Sequence, residues 1–193
     1  MAGRCAVAIS DVEIRAVVAD YLERYPDEAE LLAEPIRQLS QGADFASRRT
    51  FPMHVTVGAL LVRADEVLLI NHRAYGGILL QPGGHLEADD VTLIHAAVRE
   101  LVEEAGIDPS QVAAASHNPV YIEYGPVPAR RAKDEPAHFH LDIGYSFTAP
   151  AHVEMGHIQE SEVTGADWYP LTAAERLVGR RIARAVRVPA SIG

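Results

Sequence analysis

Two neighbouring segments decide the fold of this chain: Gly83-Gly84-His85-Leu86-Glu87 and Arg99-Glu100-Leu101-Val102-Glu103-Glu104-Ala105-Gly106-Ile107. The second segment ends a stretch, 92–105, whose apolar residues recur at helical spacing, and Gly106 is typical of a helix stop. At about 100° per residue, three carboxylates share one arc of roughly 100° on this helix. They are Glu100, Glu103 and Glu104. The apolar residues of the helix occupy a different arc, so one face packs in a core and another carries negative charge.

The carboxylate arc needs something to offset its charge, because like charges at these spacings weaken a helix. A hard divalent cation does so, since Mg²⁺ and Mn²⁺ prefer oxygen ligands. Gly83 and Gly84 carry no side chains, and their backbone can therefore approach the same cation and offer a carbonyl oxygen. The pattern predicts an Mg²⁺ site, with Mn²⁺ as an alternative, and the competing interpretation is a solvated acidic helix face.

These segments resemble the Nudix box, Gly-x5-Glu-x7-Arg-Glu-apolar-x-Glu-Glu-x-Gly-apolar, and the likeness extends over about 53–169. The second half of the box matches completely at Arg99–Ile107. In the first half, Asp90 stands where the pattern has its first Glu, and eight residues instead of seven separate Asp90 from Arg99. We expect Asp90 to act as the N-cap of the helix and not as a metal ligand.

The resemblance implies an α/β (α+β) Nudix fold, in which a mixed β-sheet is sandwiched between helices. It implies an Mg²⁺-dependent pyrophosphohydrolase, a hydrolase acting on phosphorus-containing acid anhydrides, which uses metal-activated water to cleave a nucleoside diphosphate linked to another group. The implied metal ligands are Glu100, Glu103, Glu104 and the carbonyl of Gly83. Glu103 and Glu104 are also the implied catalytic residues, with Glu162 as the general base and Glu160 as its alternative. A catalytically inactive nucleotide-sensing module is the alternative function.

The chain divides into an N-terminal helical extension over 1–50 and a Nudix hydrolase domain over 51–193. In the extension, Ser10 and Glu13 fit a capping box, Pro26 stops the first helix, and Pro35 is expected to interrupt the second. This extension either covers the sheet or forms a homodimer contact, and its sequence does not favour one role over the other.

Alternating and apolar runs predict the strands of the domain. The runs are 54–62, 67–71, 78–81, 120–124, 138–147 and 163–169. In the fifth run, His138, His140 and Asp142 share the polar face, which either looks into a cleft or faces solvent. A loop is expected over 125–136, and a C-terminal helix over 172–188.

The substrate-binding candidates are His85, His140, Asp142 and Arg130. Arg130 shares its loop with Arg131 and Lys133, which form either a phosphate clamp or a solvated charge run. A three-histidine zinc site is not predicted, because no third histidine stands at a recognisable spacing from His138 and His140.

Charge and cysteine content exclude several classes of protein. The formal net charge of −10 opposes binding to a bare phosphate backbone, so we expect a small-molecule partner and no long nucleic acid. Cys5 is the single cysteine, which excludes an internal disulfide and a thiolate zinc cluster. The apolar runs are too short to span a bilayer, and a cytoplasmic location is the default expectation.

Overall fold

The computed structural model describes residues 9–73, 78–131, 134–161 and 163–179. By its residue contacts the chain divides into two compact units. The first takes in Met1–Val57, His85–Ala96 and Ile122–Ile143, and the second takes in Gly58–Gly84, Ala97–Tyr121 and Gly144–Gly193. Each unit is therefore assembled from three separate stretches of sequence.

The described residues form four α-helices and eight strands. The helices are α1 Asp11–Arg24, α2 Ala33–Leu39, α3 Leu93–Ala105 and α4 Leu171–Val178. The strands are β1 Met53–Arg63, β2 Glu66–His72, β3 Ile78–Leu80, β4 Gly83–His85, β5 Ala113–Ala114, β6 Tyr121–Val127, β7 His138–Thr148 and β8 Val163–Pro170. The predicted strands are confirmed, and so is the α+β class.

All eight strands belong to one sheet with the order β3-β2-β1-β7-β5, in which β4 pairs with β1, β6 with β7 and β8 with β2. Strand β2 is antiparallel to β1, β3 and β8. The first nine residues of β1 are all buried, as expected for a central strand that is covered on both faces. Strand β1 therefore forms the middle of the sheet and pairs with both β4 and β7.

The core of the second unit is packed around the ring of Tyr121. Its phenol oxygen accepts a hydrogen bond of 2.7 Å from Gln81 Nε2. A Cβ added at Gly58 would lie 2.1 Å from that oxygen, and one at Gly144 would lie 1.9 Å from Cε1 of the ring. Both positions thus need glycine to leave room for the aromatic ring. The apolar residues of this core are Leu60, Val67, Leu69, Val120 and Ala174.

The N-terminal helices begin largely as the sequence predicts. The capping box of Ser10 and Glu13 is present at the start of α1, which ends before Pro26. Pro35, however, lies in the first turn of α2 and does not interrupt it. A proline is tolerated there because the first-turn N–H groups of a helix have no intrahelical acceptor.

Two further predictions were wrong in part or lie outside the described residues. The expected loop over 125–136 is shorter, because β6 continues through Gly125 and Pro126 to Val127. Helix α4 ends at Val178 within the described residues, and the predicted continuation to 188 lies beyond 179. In the part of the chain that the structure describes, none of the helices combines the length and apolar character needed to cross a membrane.

The packing of Tyr121 predicts that Gly144→Ala destabilises the protein. The added methyl group would overlap the aromatic ring, and such overpacking typically costs about 1–3 kcal/mol of unfolding free energy. Gly165→Ala is the matched control, since a Cβ there meets nothing within 4 Å, and its effect should stay within about 0.5 kcal/mol. Chemical denaturation of both variants measures the difference, and equal stabilities would contradict this account of the core.

Candidate active site

Helix α3 carries the predicted carboxylates and has well-defined ends. Thr92 Oγ1 accepts a hydrogen bond of 3.1 Å from the His95 N–H, which makes Thr92 the capping residue. At the other end, Gly106 adopts a φ of 63°, and its N–H donates to the Val102 carbonyl at 2.9 Å. Glycine adopts this left-handed conformation without steric cost, so Gly106 ends the helix as predicted.

Asp90 has a different role from the one predicted. Its carboxylate is buried, and Oδ2 accepts a hydrogen bond of 2.8 Å from the Glu87 N–H, while Oδ1 lies 3.4 Å from His95 Nδ1. The N-cap assignment was wrong, because Asp90 lies two residues before the cap Thr92 and its side chain is directed back to the preceding turn. Asp90 therefore holds the loop that leads into α3.

The carboxylate arc is not a solvated face. Glu100 is 7% exposed and Glu104 is 1% exposed, whereas the side chain of Glu103 is 40% exposed. Burying carboxylates is costly unless they are hydrogen-bonded, paired with cations or bound to a metal. The competing interpretation of a solvated acidic helix is therefore wrong for two of the three residues.

Three groups of the protein contact these carboxylates directly. The N–H of Gly83 donates to Glu104 Oε2 at 2.8 Å, and His72 Nε2 lies 3.7 Å from Glu104 Oε1. Arg99 Nη1 bridges the other two carboxylates, at 2.9 Å from Glu100 Oε1 and 3.0 Å from Glu103 Oε2. The arginine of the box thus neutralises part of the charge that the sequence places on one arc.

The glycine pair lies directly against the carboxylates. A Cβ added at Gly84 would be 2.4 Å from Glu100 Oε1, so any side chain there would displace that carboxylate. Oxygen donors from Glu100, Glu103 and Glu104 and the side-chain-free backbone of Gly83 and Gly84 make a donor set suited to a hard cation. The residues present therefore fit Mg²⁺ or Mn²⁺.

A second loop docks on the C-terminal end of α3. The Gly156 N–H donates to the carbonyls of Ala105 and Gly106 at 3.3 and 3.1 Å, and the Gln159 N–H donates to the Glu103 carbonyl at 3.1 Å. The exposed Glu160 follows directly in this loop. Glu162, the predicted general base, lies outside the described residues.

Four histidines come together in the first unit. They are His54 of β1, His85 of β4, and His138 and His140 of β7. The ring centroids of His54 lie 5.0 Å from His85 and 4.7 Å from each of the other two, and His85 lies 5.2 Å from His140. The sequence has no third histidine at a recognisable spacing from the pair on β7, but strand pairing brings His54 and His85, which are distant in sequence, beside it.

Burial lowers the pKa of three imidazoles of this cluster, those of His54, His85 and His140, which favours their neutral forms. Burial lowers the pKa of His54 to about 4 and that of His140 to about 3, and it lowers the pKa of His85 further. Smaller contributions come from neighbouring positive groups, which include Arg48 in each case. On the polar face of β7, His138 is buried and both His140 and Asp142 are partly buried, so this face is not fully open to solvent.

The other substrate-binding candidates lie elsewhere in the first unit. Asp142 Oδ1 accepts a hydrogen bond of 3.1 Å from Thr56 Oγ1. The main chain of Arg130 pairs with that of Glu135, whose carboxylate accepts a 3.0 Å hydrogen bond from Arg48 Nη2. Arg131 is exposed, and Lys133 lies outside the described residues. The predicted substrate roles of these residues stay predictions.

Comparison with known proteins identifies the family. The model of the NUDIX domain matches residues 52–187, which include both halves of the box and the helix with its buried carboxylates. The chain belongs to the NUDIX domain family. The resemblance that the box indicates is thereby confirmed.

Two curated relatives and one solved structure show how far the similarity extends. The chain is 51% identical to "Phosphatase NudJ" of Escherichia coli over 59 residues, which are 30% of this chain and 37% of the relative. It is 34% identical to the zebrafish (Danio rerio) "m7GpppN-mRNA hydrolase NUDT17" over 90 residues, 44% of this chain and 26% of the relative. The matched segments thus cover about a third of the length of the first relative and about a quarter of the length of the second.

A NUDIX-family hydrolase structure from Clostridium perfringens superposes with a TM-score of 0.52 at 22% identity. The superposition covers 70% of this chain and 95% of the other. At this identity the likeness establishes the fold alone, and it confirms the predicted Nudix fold.

The contact between the glycine pair and the helix predicts that Gly84→Ala impairs the site without unfolding the protein. The new methyl group would push the Glu100 carboxylate away from the backbone of Gly84. We expect Mg²⁺-dependent turnover to fall by at least about tenfold, because sites that bind metal tolerate little displacement of a ligand. Gly165→Ala serves again as the control, and full activity of Gly84→Ala with an unchanged Mg²⁺ requirement would contradict this geometry.

Proposed function

We propose that this Nudix protein is an Mg²⁺-dependent pyrophosphohydrolase that cleaves a nucleoside diphosphate linked to another group. One observation carries the proposal: two of the three box glutamates are buried beside a backbone that has no side chains. A buried cluster of carboxylates is a costly arrangement for a protein that does not use it. The names of the relatives, a phosphatase and an m7GpppN-mRNA hydrolase, support hydrolysis of a phosphate compound by this chain.

The metal would be held by Glu100, Glu103, Glu104 and the carbonyl of Gly83. When bound, Mg²⁺ neutralises the charge of adjacent phosphates and lowers the pKa of a coordinated water. Mn²⁺ prefers similar oxygen ligands and is expected to substitute for it. The chain contributes the rigidity of the site, since the Gly83 N–H and the Arg99 guanidinium fix the carboxylates from two sides.

The general base is proposed to be Glu162, with Glu160 as the second candidate. Support comes from the loop 156–159, whose main chain is hydrogen-bonded to the last turn of α3 and to Gly106. A carboxylate in this region would take a proton from the attacking water, for which a distance of about 2.6–3.2 Å is needed in the substrate complex. The proposal includes substrate-binding roles for His85, His140, Asp142 and Arg130, and a cytoplasmic location.

A substrate panel tests the proposal most simply. Nucleotide sugars, dinucleotides and nucleoside triphosphates are incubated with the protein and Mg²⁺ or Mn²⁺, and the products are separated by chromatography. We expect a nucleoside monophosphate plus a phosphate ester from at least one diphosphate derivative. Nucleotide binding without any turnover would instead favour the inactive sensing module.

Charge-neutral variants of the box glutamates provide the mutational prediction. Glu103→Gln combined with Glu104→Gln should lower turnover at saturating substrate by at least about 100-fold, because metal charge contributes several kcal/mol to such reactions. The double variant Glu154→Gln and Glu175→Gln is the matched control. It removes the same charge from two exposed glutamates outside the box and should keep the activity. Equal activity of the two double variants would refute the metal role.

Oxygen labelling distinguishes direct attack by water from a covalent mechanism. In ¹⁸O-water, hydrolysis by an activated water places one label on a phosphate product and none on the protein. Appearance of label in a protein carboxylate after a single turnover would show a covalent intermediate, which the proposed mechanism does not include. Mass spectrometry of both products and protein gives the answer.

A further inference from the structure

The histidine cluster of the first unit has a donor set that the proposed Mg²⁺ site does not use. His54, His85 and His140 each offer a ring nitrogen, and these three nitrogens lie within 4.8 Å of one another. Imidazole is a ligand for zinc, copper, nickel and iron, whereas Mg²⁺ binds oxygen. The cluster therefore differs in chemistry from the carboxylates of α3.

The distances agree with coordination of a single cation. Two nitrogens at about 2.0–2.1 Å from a zinc ion and at a tetrahedral angle are about 3.3 Å apart. His54 Nε2 and His85 Nε2 are separated by 3.1 Å. The ring centroid of His140 lies 4.7 Å from that of His54 and 5.2 Å from that of His85, and one nitrogen of each ring lies within 4.8 Å of the other two, so the third ring is close enough to share the ion.

Hydrogen bonds determine which nitrogen of His54 carries the proton. His54 Nδ1 lies 3.2 Å from the Thr50 carbonyl, and a carbonyl oxygen only accepts. The proton of the neutral ring is therefore on Nδ1, and Nε2 presents a lone pair to His85. A backbone carbonyl on the second ring nitrogen is the usual support of a metal-binding histidine.

His138 repeats this arrangement next to the third ring. Its Nδ1 lies 2.7 Å from the Pro136 carbonyl, and its Nε2 lies 3.2 Å from His140 Nε2. Two lone pairs fixed by backbone carbonyls thus point at His85 and His140. His54 and His138 are both buried, so their ring orientations are fixed by contacts within the protein and not by water.

The three rings stand on strands that are paired with one another. His54 is in β1, and β4 with His85 and β7 with His140 both pair with β1. A site on adjacent strands is held more rigidly than one on loops, as metal coordination requires. Within the described residues, this is the group of three metal-ligating side chains that satisfies the distance requirement.

We propose that His54, His85 and His140 form a binding site for one divalent transition-metal cation of the zinc class. Three protein ligands leave a coordination position for water or for an oxygen of a phosphate, the arrangement of catalytic zinc sites rather than of closed structural ones. The site goes beyond the proposed pyrophosphohydrolase function, which requires only the carboxylates of α3.

The test uses the full chain without a histidine tag, freed of metal by a chelator. Zn²⁺ alone is titrated calorimetrically, and Co²⁺ alone is titrated by visible absorption, which reports tetrahedral coordination. We expect one equivalent of either ion to bind, and X-ray absorption of the Zn²⁺ form to show imidazole scattering at about 2.0–2.1 Å. Failure of the wild-type protein to bind Zn²⁺ would overturn the proposal.

Variants locate the site. His85→Gln and His140→Gln change half-buried rings, and each should raise the Kd for Zn²⁺ by more than about 100-fold, since losing even an outer partner of a ligand costs 10–100-fold. The exposed His152 supplies the control His152→Gln, which should leave the Kd unchanged. Circular dichroism and thermal unfolding verify that the variants fold, and wild-type Zn²⁺ affinity in folded variants of both His85 and His140 would overturn the assignment.

A further variant separates this site from the proposed function. The double variant Glu103→Gln and Glu104→Gln should keep the Zn²⁺ affinity and the Co²⁺ spectrum of the wild type while losing Mg²⁺-dependent turnover. If it loses the Zn²⁺ site instead, the ion belongs to the carboxylates and the histidine proposal fails. If the histidine variants lose Zn²⁺ but no substrate is turned over by any form, the proposed function fails and the histidine site stands.

Discussion

The hydrogen bond from the Gly83 N–H to Glu104 Oε2, at 2.8 Å, is the contact on which the candidate site depends. It holds the glycine pair against a helix whose carboxylates would otherwise repel one another and turn to solvent. With the backbone in this position, a side chain at Gly84 would displace the Glu100 carboxylate, which lies directly against this loop. The loop thus covers the two buried carboxylates, while Arg99 pairs with Glu100 from the helix itself.

The ends of α3 explain why this helix can hold its carboxylates in place. Thr92 caps the first turn, Gly106 ends the last, and the loop 156–159 is hydrogen-bonded to the final carbonyls. Asp90 lies two residues before the cap, and its carboxylate accepts a hydrogen bond from the Glu87 N–H in the preceding turn. The turn before α3, where this variant of the box departs from the pattern, is thus closed by its own hydrogen bond.

The features that could be predicted from the sequence are those with a local pattern. The strands follow from apolar runs, and the shared arc of Glu100, Glu103 and Glu104 follows from helical geometry alone. The roles of Asp90 and Pro35 were missed because they depend on where a helix begins to within one or two residues, which composition does not determine.

The histidine cluster could not be predicted because it depends on strand pairing between distant parts of the chain. His54, His85 and His140 come from three strands, and no spacing in the sequence relates them. One signal was available: His54 stands inside an apolar run, where a polar residue needs a buried partner. The carboxylate oxygens of α3 suit hard cations, and the imidazole nitrogens suit softer ones. The two groups of side chains therefore favour different metal ions.

Binding of Mn²⁺, followed by the loss of the electron paramagnetic resonance signal of the free ion, tests the central claim most directly. The account predicts that the wild-type protein binds Mn²⁺ saturably and without substrate. It further predicts that combining Glu100→Gln with Glu104→Gln raises the Kd by at least about tenfold, while Glu154→Gln with Glu175→Gln does not, because only the first pair removes carboxylates that face the glycine backbone. Equal Mn²⁺ affinity of the two double variants would contradict the claim that the buried carboxylates of α3 form the metal site.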